Sequence, residues 1–163
     1  MRGRFFHGRC GAAVLATLCL FWAQSAYAGH WLMTGRLGQG DQARVAGIDR
    51  DSVKPAVKGV IQVSMVSIER MHPGARKVLG HVEVECPALR FRLPSLTIWR
   101  EHGARARVLS GPDDDWRDPQ NPDDKALMAA ICAHDYSSLT DPGDTSPDAY
   151  AAGLLGTPPD FGP

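Results

Sequence analysis

No run of about twenty apolar residues occurs in this chain, so no segment is long enough to read as a membrane-spanning helix. The familiar catalytic signatures are missing as well. There is no G-x-S-x-G elbow and no serine with a recognisable base. His30, His72, His81, His102 and His134 are scattered, without H-E-x-x-H or H-x-x-E-H spacing, and read as exposed or locally bonded. Gly35-x-x-Gly38-x-Gly40 has the glycines of a phosphate loop but neither its Lys-Ser/Thr ending nor a following helix. Cysteine is scarce. Of four, Cys10 and Cys19 fall in the first 28 residues, leaving Cys86 and Cys132. One such pair is neither a four-ligand zinc site nor a C-x-x-C redox motif. The expectation is a non-enzyme with no cofactor and no metal.

Neither sign of charge is in excess. Lys and Arg number 18, and so do Asp and Glu. A nucleic-acid partner calls for a concentrated basic patch, which this balance argues against. The charges are nevertheless unevenly placed. Arg2, Arg4 and Arg9 open the chain without an acid, whereas no base follows Lys125 and five acids do so after Cys132.

Those first arginines belong to a leader. They form the positive n-region, Gly11 to Trp22 forms a mostly apolar h-region, and Ala26-Tyr27-Ala28 fits an A-x-A cleavage pattern. Residues 1–28 therefore read as a secretory signal peptide, with removal between Ala28 and Gly29. The expected location is the periplasm, the secreted fraction or the cell surface. Disulfides persist in such compartments, so Cys86 and Cys132 are expected to be bridged.

What is present is a series of strand patterns. His30-Trp31-Leu32-Met33 is the first, and Arg44 to Asp49 the second. Val57 to Ile68 is rich in Val, Ile and Met and reads as a central strand, with imperfect alternation that leaves the buried face open. Arg76 to Cys86 and Leu89 to Leu93 read as a hairpin around a four-residue loop. That register sets Glu85 against Arg90 and Glu83 against Arg92 on one side, and Val84 against Phe91 and Val82 against Leu93 on the other. Leu96 to Trp99 continues after Pro94, and Ala104 to Leu109 alternates again. Pro112 to Asp124 reads as a polar loop.

A helix follows. Asn121 is a good N-cap, Pro122 suits the first position, and Asp123 and Asp124 complement the dipole. Leu127, Met128, Ile131 and Cys132 share one face. The region 135–163, with five prolines, four glycines and five acids, reads as a disordered tail. The predicted organisation is a signal peptide over 1–28, one domain over 29–134 and a tail over 135–163. The fold class is α+β: an antiparallel sheet with a C-terminal helix packed on one face and tethered by the Cys86–Cys132 disulfide.

The order of particular residues is similar to that of a known family. Trp31, Ile48-Asp49 with Ser52, Glu85-Cys86, Leu89-Arg90-Phe91-Arg92, Trp99, Trp116 and a helix ending in Cys132 together resemble the surface-adhesin protein E family. The likeness spans about Trp31 to Cys132. It implies a sheet of six antiparallel strands tied to the helix by that bridge. It also implies an exported adhesin-like domain that binds host matrix or plasma proteins. The alternative is a periplasmic structural or accessory protein with an envelope partner.

The candidate binding surface is a basic, aromatic stretch. Arg90, Arg92, Arg100, Arg105 and Arg107 interleave with Phe91 and Trp99, chemistry suited to an acidic glycan or protein loop. The plainer reading is a charge-laced solvent face. Two metal readings are weaker still. A Gly29-His30 terminus has the groups to chelate Cu(II), and Asp113-Asp114-Asp115 offers oxygens for Ca²⁺ without EF-hand spacing.

Overall fold

Each extended segment pairs with the next in sequence. In the computed structural model, which describes residues 29–71, 75–100 and 104–156, the strands form one antiparallel sheet in simple meander order. They are β1 (Trp31–Met33), β2 (Arg44–Pro55), β3 (Val60–Arg70), β4 (Ala75–Glu85), β5 (Arg90–Arg100) and β6 (Ala104–Arg117). The expected count of six and the α+β class both hold. The expected leader, residues 1–28, lies outside the described residues.

The imperfect alternation of the central strand now has a cause. Side chains of a strand point alternately to its two faces. On β3, Ile61 and Val63 belong to one apolar cluster, while Val66 and Ile68 belong to another on the opposite face. β4 repeats the pattern, with Val82 and Val84 in the first cluster and Leu79 packed against the second. Each face is thus apolar over half its length, and each half carries its own helix.

Helix α1 (Pro122–Ala133) covers the first half-face. Its start is local chemistry: the Asn121 Oδ1 accepts from the Asp124 N–H at 2.8 Å, and Pro122 occupies the first turn. Leu127, Met128 and Ile131 are buried against the sheet. Arg44 of β2 donates to Asp124 at 2.6 Å, fixing the helix start to the sheet. The Cys86–Cys132 bridge fixes its end, with the α-carbons 5.5 Å apart. A bridge of this kind belongs to an oxidising space outside the cytosol. Among the described residues, no helix is long and apolar enough to cross a membrane.

The second half-face corrects the expected tail. Within it α2 (Pro147–Leu155) packs on the sheet opposite α1. Ala151 and Leu155 are buried with Trp31, Met33, Val45 and Ile68. Composition was misleading because proline and serine start this helix rather than prevent it. Ser146 caps it, accepting from the Ala149 N–H at 3.2 Å, and Pro147 takes the first turn. Before α2, Thr140 exchanges two backbone hydrogen bonds of 2.8 Å with Met33 and so closes the β1 edge. Residues 157–163 lie outside the described part.

Two smaller expectations also change. β6 runs on to Arg117, so Pro112 to Arg117 is strand rather than loop. It is an edge strand, where a proline need not interrupt a ladder. The hairpin pairs Glu85 with Arg90, Val84 with Phe91 and Glu83 with Arg92, as the charge pattern requires. Val82 and Leu93 do not form the next pair, because the register shifts there.

Candidate polar groove on the sheet

That shift is one half of the site. His81 pairs with Ser95, and Glu83 with Arg92, so Leu93 and Pro94 together oppose Val82. Pro94 has no N–H to give to a ladder, and a bulge accommodates it. The other half lies across β3. Asp49 pairs with Ser64 and Lys54 with Gln62, leaving 50–53 opposite Val63 alone. Ser52 closes this larger bulge: its hydroxyl accepts from the Ser64 N–H at 2.7 Å and donates to the Asp49 carbonyl at 2.6 Å. Bulges re-aim side chains, and two at the same level of the sheet open a groove between them.

The groove has a volume of about 350 Å³. The β2 bulge supplies Asp51, Ser52 and Lys54. β3 supplies Gln62 and Ser64, and β4 and β5 supply His81, Glu83 and Ser95. Period-two alternation places Gln62 and Ser64 on the same face as Val66 and Ile68, the face that α2 covers. Helix and groove therefore share one side of the sheet, side by side.

Polar groups within it are fixed. Glu83, only 11% exposed at its side chain, accepts from Gln62 Nε2 at 2.7 Å and from Arg92 Nε at 2.6 Å. The Gln62 hydrogen bond, then Arg92, hold its carboxyl below the usual glutamate range against the opposing effect of burial. Ser64 Oγ lies 3.3 Å from His81 Nδ1. The Asp51 and Lys54 side chains are exposed, with no ion-pair partner among the described residues.

Among the described residues of the expected binding patch, Arg90 and Arg92 lie apart from Trp99. Arg90 is held by Glu85 at 2.9 Å. Arg92 is held by Glu83 and lies over the Trp116 ring, 4.9 Å from its centroid. Trp99 sits at the other end of β5, packed against the α2 cluster, with Lys77 Nζ 5.2 Å from its ring centroid. Seven strand positions separate it from Arg92, roughly 23 Å. The backbone of Arg107 pairs with Ile98, but the side chains of Arg105 and Arg107 lie outside the described residues, as do those of Asp113 and Asp114. His30 is engaged by Asp141 at 2.9 Å. Among the described residues, no group of three or more His, Cys, Asp or Glu is placed to hold a metal ion.

Sequence reading missed the groove. Its signal was present in two forms: polar Gln62 and Ser64 inside an otherwise apolar central strand, and a proline within β5. A second cleft, of about 200 Å³, lies on the opposite face beside the start of α1, with Met65, Val78 and Gly80 in its lining. No family model, curated protein or solved structure matches the chain. The similarity to the surface-adhesin protein E family therefore stands on the residues named for it.

Proposed function

We propose that this chain is an exported, non-enzymatic binding domain of adhesin type. In this reading residues 1–28 are removed and the remainder works in the periplasm or at the cell surface. Its partner is a host matrix or plasma protein, or a protein of the envelope. The observation that carries the reading is the division of one sheet face. α2 seals half of it, and the other half presents polar groups in a groove that no element covers among the described residues.

The chemistry of the groove supports recognition over turnover. A hydrolytic serine needs a base that is itself oriented by a third group. Ser64 meets His81 at Nδ1, and no described carboxylate bonds the other ring nitrogen. Glu83 is committed to Gln62 and Arg92. The Cys86–Cys132 bridge supports the exported location.

The test is binding of the purified, oxidised chain to immobilised extracellular-matrix proteins and to isolated envelope. Saturable binding that Asp51→Asn with Lys54→Met removes supports the reading. Equal binding by this double variant, or none to either surface, overturns it. Retention on envelope alone selects the accessory role.

A further inference from the structure

The geometry points to the groove between the two bulges as the site for an uncharged sugar unit, recognised through its hydroxyl groups. This deepens the binding-domain reading and rests on it.

Size comes first. Small-ligand sites are clefts of roughly 300–1,000 Å³. The groove, at about 350 Å³, falls at the small end, suited to a ring or a short oligosaccharide end rather than an extended protein loop.

The arrangement of donors and acceptors comes second. A sugar hydroxyl both donates and accepts, so it is best met by a surface that does both. Gln62 provides such a surface in a defined orientation. A carboxylate only accepts, so the Glu83 contact fixes Nε2 of the amide towards Glu83 and leaves Oε1 as an acceptor. Ser64 adds a hydroxyl, Ser95 adds another, and His81 keeps Nε2 beyond its contact with Ser64. Ser52, by contrast, is committed to the backbone on both sides and holds the shape.

Charge comes third. Asp51 and Lys54, of opposite sign, stand on the same wall. The Glu83 charge is balanced by Arg92. A phosphate, sulfate or sialic carboxylate would meet Asp51, and a cation would meet Lys54. A neutral polyol meets neither conflict, and takes hydrogen bonds strengthened by ionised partners on each side. Because the Glu83 contact already fixes the Gln62 amide, little ordering of that group is left for the ligand to impose.

The test begins with the full oxidised chain on an array of neutral, sialylated and sulfated oligosaccharides. Calorimetric titration with the best neutral oligosaccharide follows. The expected result is binding confined to neutral glycans, weakened at least tenfold in Asp51→Asn, Lys54→Met and Gln62→Ala. The first two residues are exposed, so those variants should melt like the parent and separate recognition from folding. A blank array, binding confined to acidic glycans, or parental affinity in the Asp51→Asn/Lys54→Met double variant overturns the assignment.

Two sources of such a sugar are distinguishable. Capture of a matrix glycoprotein that deglycosylation abolishes assigns a protein-borne sugar. Array binding without that capture assigns a polysaccharide, and both support the inference. Capture of deglycosylated protein through the same residues, with a blank array, overturns the sugar and leaves the binding-domain reading standing.

Discussion

Lys77 Nζ lies 2.7 Å from Asp148 Oδ2, and this contact joins the middle of the sheet to α2. The lysine is 2% exposed at its side chain and the aspartate 29%. Burial pushes the amine's pKa down, and Asp148 pulls it partly back. Removing the acid takes away one stabilising contact of a buried amine, so Asp148→Ala is expected to destabilise the fold, and Lys77→Met distinctly less, since an apolar chain of similar length fills the same space. Urea denaturation of both variants checks this; equal losses would refute the asymmetry.

Removal of the covalent tie has a calculable ceiling. The bridge closes a sequence separation of 46 residues. In the chain-entropy model, a loop of that length is worth about 4 kcal/mol. The Cys86→Ala/Cys132→Ala double variant should melt many degrees below the parent. An unchanged melting temperature, with and without reductant, would show that the bridge contributes nothing.

Leu155 tests whether α2 belongs to the core. It is 4% exposed and packs in the cluster with Trp31 and Met33. Leu155→Ala should lose about 2–5 kcal/mol. A loss below half a unit, measured by chemical denaturation, would place α2 outside the cooperative core.

Glu83 gives a pH dependence with a definite sign. Its folded pKa lies below the ordinary value of 4.5, so below that value the unfolded chain binds the proton more readily. Stability from this group is present above pH 4.5 and falls as pH drops towards the folded value. Glu83→Gln should flatten that acid loss in thermal melts between about pH 7 and 3. An identical acid slope in parent and variant would contradict the assignment.

Ser52 tests the larger bulge. Its hydroxyl is the acceptor for the Ser64 amide, in place of a ladder carbonyl. Ser52→Ala should cost about 1–3 kcal/mol and speed hydrogen exchange at Ser64. Unaltered exchange there would mean that the bulge holds itself.

Several elements were readable without coordinates because their causes are local. Glu83, Glu85, Arg90 and Arg92 announced their register, since one shift would set like faces wrong. Asn121 announced the helix start because an N-cap acts within three residues. The split of the central strand was readable only as irregularity. Nothing in 61–68 says which helix will cover which half. The candidate groove was less legible still, because Asp51 comes beside Gln62 and Ser64 at one register shift, and Pro94 and Ser95 come beside His81 and Glu83 at another.

Residues near one another in the chain set the alternation that makes strands and the cap that starts α1, and elimination leaves two cysteines available for a bridge. The burial of α2, the pairing of Lys77 with Asp148 and the groove depended on tertiary structure. Those contacts join segments far apart in the chain, and their free energy exists only once the sheet has brought both surfaces together. A polar, proline-rich stretch can then fold on an apolar face that its own composition does not reveal.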